Sequence, residues 1–233
     1  MKKLNKATAL EAVNELLSSG ESKILNHPIV PPINQGKLSK EVLDVILKCF
    51  YADGLWWVGA LQHMHKNARN ERFKKALLDN LNCETGASGG QPHMLLLNNF
   101  FESIILTADM KDYVYAQAIK RAQEENKMLR KATEPQKAGF MLATEHLFPT
   151  LLSSVRPSII FHYPDCDMAY IDEHIEVDAD EHSIWMKESV MEILHSNIEF
   201  LDEVKHGVKK AITGAIFPFK IASKEIKKYE ALY

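Results

Sequence analysis

Apolar residues recur at three- and four-residue intervals along almost the whole chain, the pattern of helices that each bury one face. Between Ala7 and Leu25 they fall at Leu10, Val13, Leu16, Leu17 and Ile24. The run Asn26-His27-Pro28-Ile29-Val30-Pro31-Pro32 ends that helix, because proline has no N–H to donate and restricts the residue before it. Ser39 is placed to cap a long helix running to about Asn67. A shorter helix follows from about Asn70 to Leu81, and another opens near Pro92 with Leu95, Leu96, Leu97 and Phe100. Helical patterns then cover roughly 110–131, 134–153, 167–194 and 197–214. Pro92 and Pro135 stand where first-turn prolines belong. The stretch Arg156 to Cys166, with Ile159, Ile160, Phe161 and Tyr163, has no partner strand and reads as a packed loop. The pattern predicts an all-α fold, a single domain over residues 1–233 with about seven or eight helices.

Composition narrows the classes. A hydrophobic content of 46% over 233 residues is ample for a buried core. With 28 basic and 31 acidic residues, a net charge of -3 and no basic run, nucleic acid is not an expected partner. The three cysteines, Cys49, Cys83 and Cys166, are far apart and form no CxxC pair, so neither a disulfide framework nor a thiolate zinc site is expected. The opening Met1-Lys2-Lys3-Leu4-Asn5-Lys6 leads into no apolar leader, and no segment approaches the ~20 apolar residues of a membrane helix. A soluble cytoplasmic protein with no membrane partner is the expectation.

Three segments carry candidate chemistry. In Tyr170-Ile171-Asp172-Glu173-His174-Ile175-Glu176-Val177-Asp178-Ala179-Asp180-Glu181-His182, three metal-capable side chains, His174, Asp178 and His182, are spaced i, i+4, i+8. At ~100° per residue they drift by only ~80°, so they form one stripe shared with Ile171, Ile175 and Trp185. Imidazole and carboxylate suit iron, manganese or zinc; a solvated acidic helix is the competing reading. In the second segment Glu84 closes one helix and His93 opens the next. A continuous helix would place them on opposite faces, whereas Gly86, Gly89 and Gly90 supply a break that lets them converge. The alternative there is a capping turn with an incidental histidine. The third is Glu145, surrounded by Phe140, Met141, Leu142, Leu147 and Phe148. A carboxylate buried there needs a basic residue or a metal. Glu84, Glu145 and Asp178 with His93, His174 and His182 make three carboxylates and three imidazoles. Two divalent ions would leave such a set at a net charge of only +1, and helical bundles build di-iron sites from inward-facing carboxylates and histidines.

With these motifs the chain resembles the haem-oxygenase-like di-iron oxidases, and among them the group of the Chlamydia protein associating with death domains. Gly36 to Leu81 resembles that family's second and third helices, Glu84 follows an Asp79-Asn80-Leu81 as its first ligand does, and Glu145 with Pro149 matches its Glu-x-x-x-Pro. Tyr170 to His182 is similar to its histidine–aspartate–histidine helix, with one residue more before the last histidine. Eight residues intervene between Glu84 and His93, a longer interval than the family usually shows. The resemblance implies metal ligands Glu84, His93, Glu145, His174, Asp178 and His182, two Fe(II) ions, and O2 as co-substrate reduced through a peroxo intermediate. It implies an oxidoreductase acting on a small-molecule substrate, an amino acid or derivative above all, by C–C cleavage, desaturation, N-oxygenation or nitrile formation, and a homodimer. Tyrosines that some relatives consume in their own chemistry fall at Val30, Ile46 and Thr144, so an external substrate is expected. Tyr51, Trp57 and Tyr170 are the expected pocket residues, with no catalytic nucleophile. The alternatives are a cofactorless enzyme of the same fold, for which Cys83 or Cys166 would be nucleophiles, and a non-catalytic interaction protein.

Overall fold

The computed structural model describes residues 6–104, 113–177 and 182–230. Among them the chain forms α1 (Lys6–Leu25), α2 (Val30–Asn34), α3 (Lys40–Asn67), α4 (Glu71–Thr85), α5 (His93–Ser103), α6 (Tyr113–Lys131), α7 (Glu134–His162), α8 (Ala169–Val177), α9 (Ser183–Ser196) and α10 (Leu201–Glu230), with one 3-10 turn at Ile198–Phe200 and no strand. The fold is all-α, as the periodicity predicts.

Local chemistry sets the boundaries. The Ser39 hydroxyl accepts the Val42 N–H at 3.4 Å to open α3, and the Asn70 side chain accepts the Phe73 N–H at 2.9 Å to open α4. Thr133 and Gln136 form a reciprocal capping box at the start of α7. The helices outnumber the seven or eight expected for two reasons. The proline run that stops α1 starts α2 almost at once, since Pro31 and Pro32 sit in a first turn where no N–H is needed. The stretch 167–194 holds two helices, α8 and α9.

The loop expected over Arg156–Cys166 is a correction: α7 runs on to His162, through Pro149 and Pro157. Each proline removes one helix bond and costs about 3 kcal/mol in a helix interior. Leu151, Leu152, Val155 and Ile159 are all buried in that stretch, and each contributes roughly 1.5–3 kcal/mol by leaving water. Burial therefore outweighs the prolines.

Helix α7 is the axis of the bundle. It is buried on several sides, with α10, α9, α8, α1 and α2 packed around it, while α3 bridges α4, α6 and α10. The α7–α10 crossing is backbone on backbone: a Cβ at Gly139 would stand 2.1 Å from the Val204 carbonyl oxygen, and one at Gly207 2.0 Å from that of Gln136. Glycine at both positions is what allows α7 and α10 to touch. No described helix is long and apolar enough to cross a membrane.

Candidate metal centre

Five of the six expected ligands lie within the described residues, and all five are buried: Glu84, His93, Glu145, His174 and His182. Asp178 lies outside the described residues.

The first group is assembled by a chain reversal. Helix α4 ends at Gly86, whose φ of +75° is a left-handed cap. A side chain there would meet the Gly90 carbonyl at 2.8 Å and Pro92 at 3.0 Å, so the loop folds back tightly only with glycine. That reversal brings His93, at the start of α5, against Glu84, with Nδ1 3.3 Å from Oε2. From α8, His174 closes the group, its ring 4.5 Å from that of His93. One donor atom from each of Glu84, His93 and His174 lies within 4.8 Å of the others. The Nδ1–H of His174 donates to the Tyr170 carbonyl at 2.8 Å, which leaves the Nε2 lone pair to bind a metal.

The second group pairs α7 with the start of α9. His182 Nδ1 stands 3.4 Å from Glu145 Oε2. The backbone at His182 is wound as π-helix, a widening that accommodates one residue more than a regular turn. Between the two side chains sits Asn80 of α4, buried, which donates through Nδ2 to Glu145 Oε1 at 2.9 Å and lies 3.3 Å from His182 Nδ1. Asn80 was not among the sequence candidates, although its place one turn before Glu84 puts it on the same face of α4.

Glu84, His93, Glu145 and His174 face a common cavity whose lining includes the apolar residues Phe50, Met94, Leu97 and Phe148. Of the expected pocket residues, Trp57 and Tyr170 line it; Tyr170 stacks 4.3 Å from His174. Tyr51 does not reach the cavity: its ring packs 4.8 Å from Phe101 and 6.4 Å from Tyr115, on another side of α3. Sequence reasoning also missed Asp53, Arg121 and Glu125, a polar cluster in the cavity wall.

A donor set of carboxylates and imidazoles, buried in an apolar shell, fits iron. A family described as iron-containing redox enzymes matches residues 46–214, most of the chain and all of the expected ligands. The chain belongs to this family. None of the curated proteins matches it. As an iron-containing redox enzyme it has its buried donors on helices α4, α5, α7 and α8, held by the same core that closes the cavity.

Proposed function

We propose that this iron-containing redox enzyme uses two irons and O2 to oxidise a C–H or N–H bond of a small external metabolite. What carries the reading is the pair of buried carboxylate–histidine groups, Glu84/His93/His174 and Glu145/His182, beside an apolar cavity. Glu84, His93 and His174 would hold one ion, and Glu145 and His182, with Asp178, the other. Bound Fe(II) would supply the electrons that activate O2. The protein's part is to orient and to shield. The Tyr170 carbonyl fixes the His174 tautomer, Asn80 aligns Glu145 with His182, and Phe148, whose ring meets His174 edge-on at 5.4 Å, keeps water from the imidazole.

Two observations favour an external substrate over the alternatives. Tyr170 is the one tyrosine lining the cavity among the described residues, and Thr144 turns its hydroxyl back to the Phe140 carbonyl at 3.0 Å. Neither Cys83 nor Cys166 lines the cavity, and burial pushes the Cys166 thiol up, away from the thiolate that a nucleophile needs.

Anaerobic titration of metal-free protein with Fe(II), followed by rapid mixing with O2, tests the reading. The expected result is two equivalents bound per chain, with a visible-absorbing transient once O2 and a substrate are present. His174→Ala and His182→Ala should each lose an equivalent while keeping helical circular dichroism. Saturation at a single equivalent in the wild-type protein would overturn the two-iron assignment.

A further inference from the structure

The cavity wall carries a second polar group that supplies none of the metal ligands. Asp53 comes from α3; Arg121, Glu125 and Asn126 come from α6. Arg121 donates through Nη1 to Glu125 Oε2 at 2.6 Å and through Nη2 to Asp53 Oδ1. One guanidinium thus faces two carboxylates, and with both ionised the group is one positive charge short of neutral. Its surroundings are otherwise apolar: Ala122, Leu129, Ala211, Ala215 and Trp57 line the same cavity, and the Phe217 ring lies 5.1 Å from the guanidinium. Leaving a carboxylate uncompensated in such a place is expensive unless a cation joins it.

Other details point the same way. Asn126 Oδ1 and Arg121 Nε are both buried with no hydrogen-bond partner, so the cluster leaves one acceptor and one donor open. At Gly214 of α10 a side chain would stand 2.9 Å from Glu125 Oε1, so glycine keeps that oxygen from being crowded. Burial holds the Glu125 carboxyl up at about 7 and raises that of Asp53, despite the guanidinium between them. Asp53 still keeps 38% of its side-chain surface accessible, and it lines the cavity.

We infer that Asp53, Arg121, Glu125 and Asn126 form a head-group subsite that takes the protonated amine of a small, otherwise apolar substrate. The ammonium completes the charge of the group and donates to carboxylate and amide oxygens, and the apolar lining receives the hydrocarbon. A simple fatty acid would bring a third carboxylate to this wall and is disfavoured. The inference rests on reading this cavity as the substrate chamber, and it narrows the substrate to amines.

Calorimetric titration of the metal-free full-length chain at about pH 8, where Glu125 is mostly ionised, tests this with n-hexylamine, hexanoate and 1-hexanol. Hexylamine should bind at least about tenfold more tightly than the other two. Glu125→Gln and Asp53→Asn should each remove most of that preference while circular dichroism stays helical. If one variant fails to fold, the other decides. No binding of hexylamine, equal binding of hexanol, or a preference unchanged in the folded variants overturns the inference. Iron stoichiometry is measured separately, so amine selectivity without two-iron binding would sink the oxidase reading and leave the amine subsite standing.

Discussion

At the scale of single residues, the most consequential side chain that is not itself an expected ligand is Asn80. Its amide touches both members of the Glu145/His182 group, while its own Oδ1 is buried without a hydrogen-bond partner. An orphaned buried carbonyl costs about 1–3 kcal/mol, and turning the amide over would set that oxygen against the Glu145 carboxylate. The orientation that serves the two ligands is therefore the one adopted. On the proposed two-iron reading, replacing Asn80 by Ala should weaken the iron assigned to Glu145 and His182 by roughly 10–100-fold, the scale of losing a residue that orients metal ligands, and leave the other nearly unaffected. Chelator competition with a spectroscopic readout resolves the two sites. Glu125 carries a different prediction. Its carboxyl rises from 4.5 to about 7 on folding, so the folded state favours the protonated form. Its contribution is fully present below pH 4.5 and is lost as the pH rises through about 7. At about 1.4 kcal/mol per pH unit the loss is at most about 3 kcal/mol. Denaturant titrations of Glu125→Gln across that window should show a flatter stability profile than the wild type.

At the scale of elements, the expectations hold where a boundary has a chemical mark and fail where burial overrides it. Ser39 announces α3 through its cap, α4 is expected from about Asn70, and the structure starts the two helices at Lys40 and Glu71, each capped by the residue before it. The glycines after Glu84 announce a reversal, and Gly86 makes it. For α7 the end expected near residue 153 does not occur: the helix runs through Pro157 to His162, because Val155 and Ile159 are inside the bundle. The α7–α10 contact is the most sensitive joint. Gly139→Ala would drive a methyl into the Val204 carbonyl and should destabilise the protein by about 3 kcal/mol, seen as a lower denaturant midpoint with an unchanged slope. Gly59→Ala, with open space around its Cβ, should instead be neutral or slightly stabilising, and so controls for the glycine itself.

At the scale of the whole molecule, sequence and tertiary structure divided the work along a physical line. Whatever depends on neighbours along the chain was legible in the order of residues. That covers the helical period, most helix starts, the all-α class, the glycine break that permits Glu84 and His93 to converge, and the presence of imidazoles and carboxylates in unusual apolar company. Helix geometry is local, so its rules can be read without knowing what packs on what. Which side chains share a volume is a matter of packing. Asn80 reaches residues 65 and 102 positions away, Arg121 meets Asp53 across 68, and Tyr51, at a promising helical register, turns toward Phe101 instead of the cavity. Those outcomes depend on how α3, α6 and α7 are rotated about their axes. That rotation follows from the burial of many apolar residues at once, and no short motif records it.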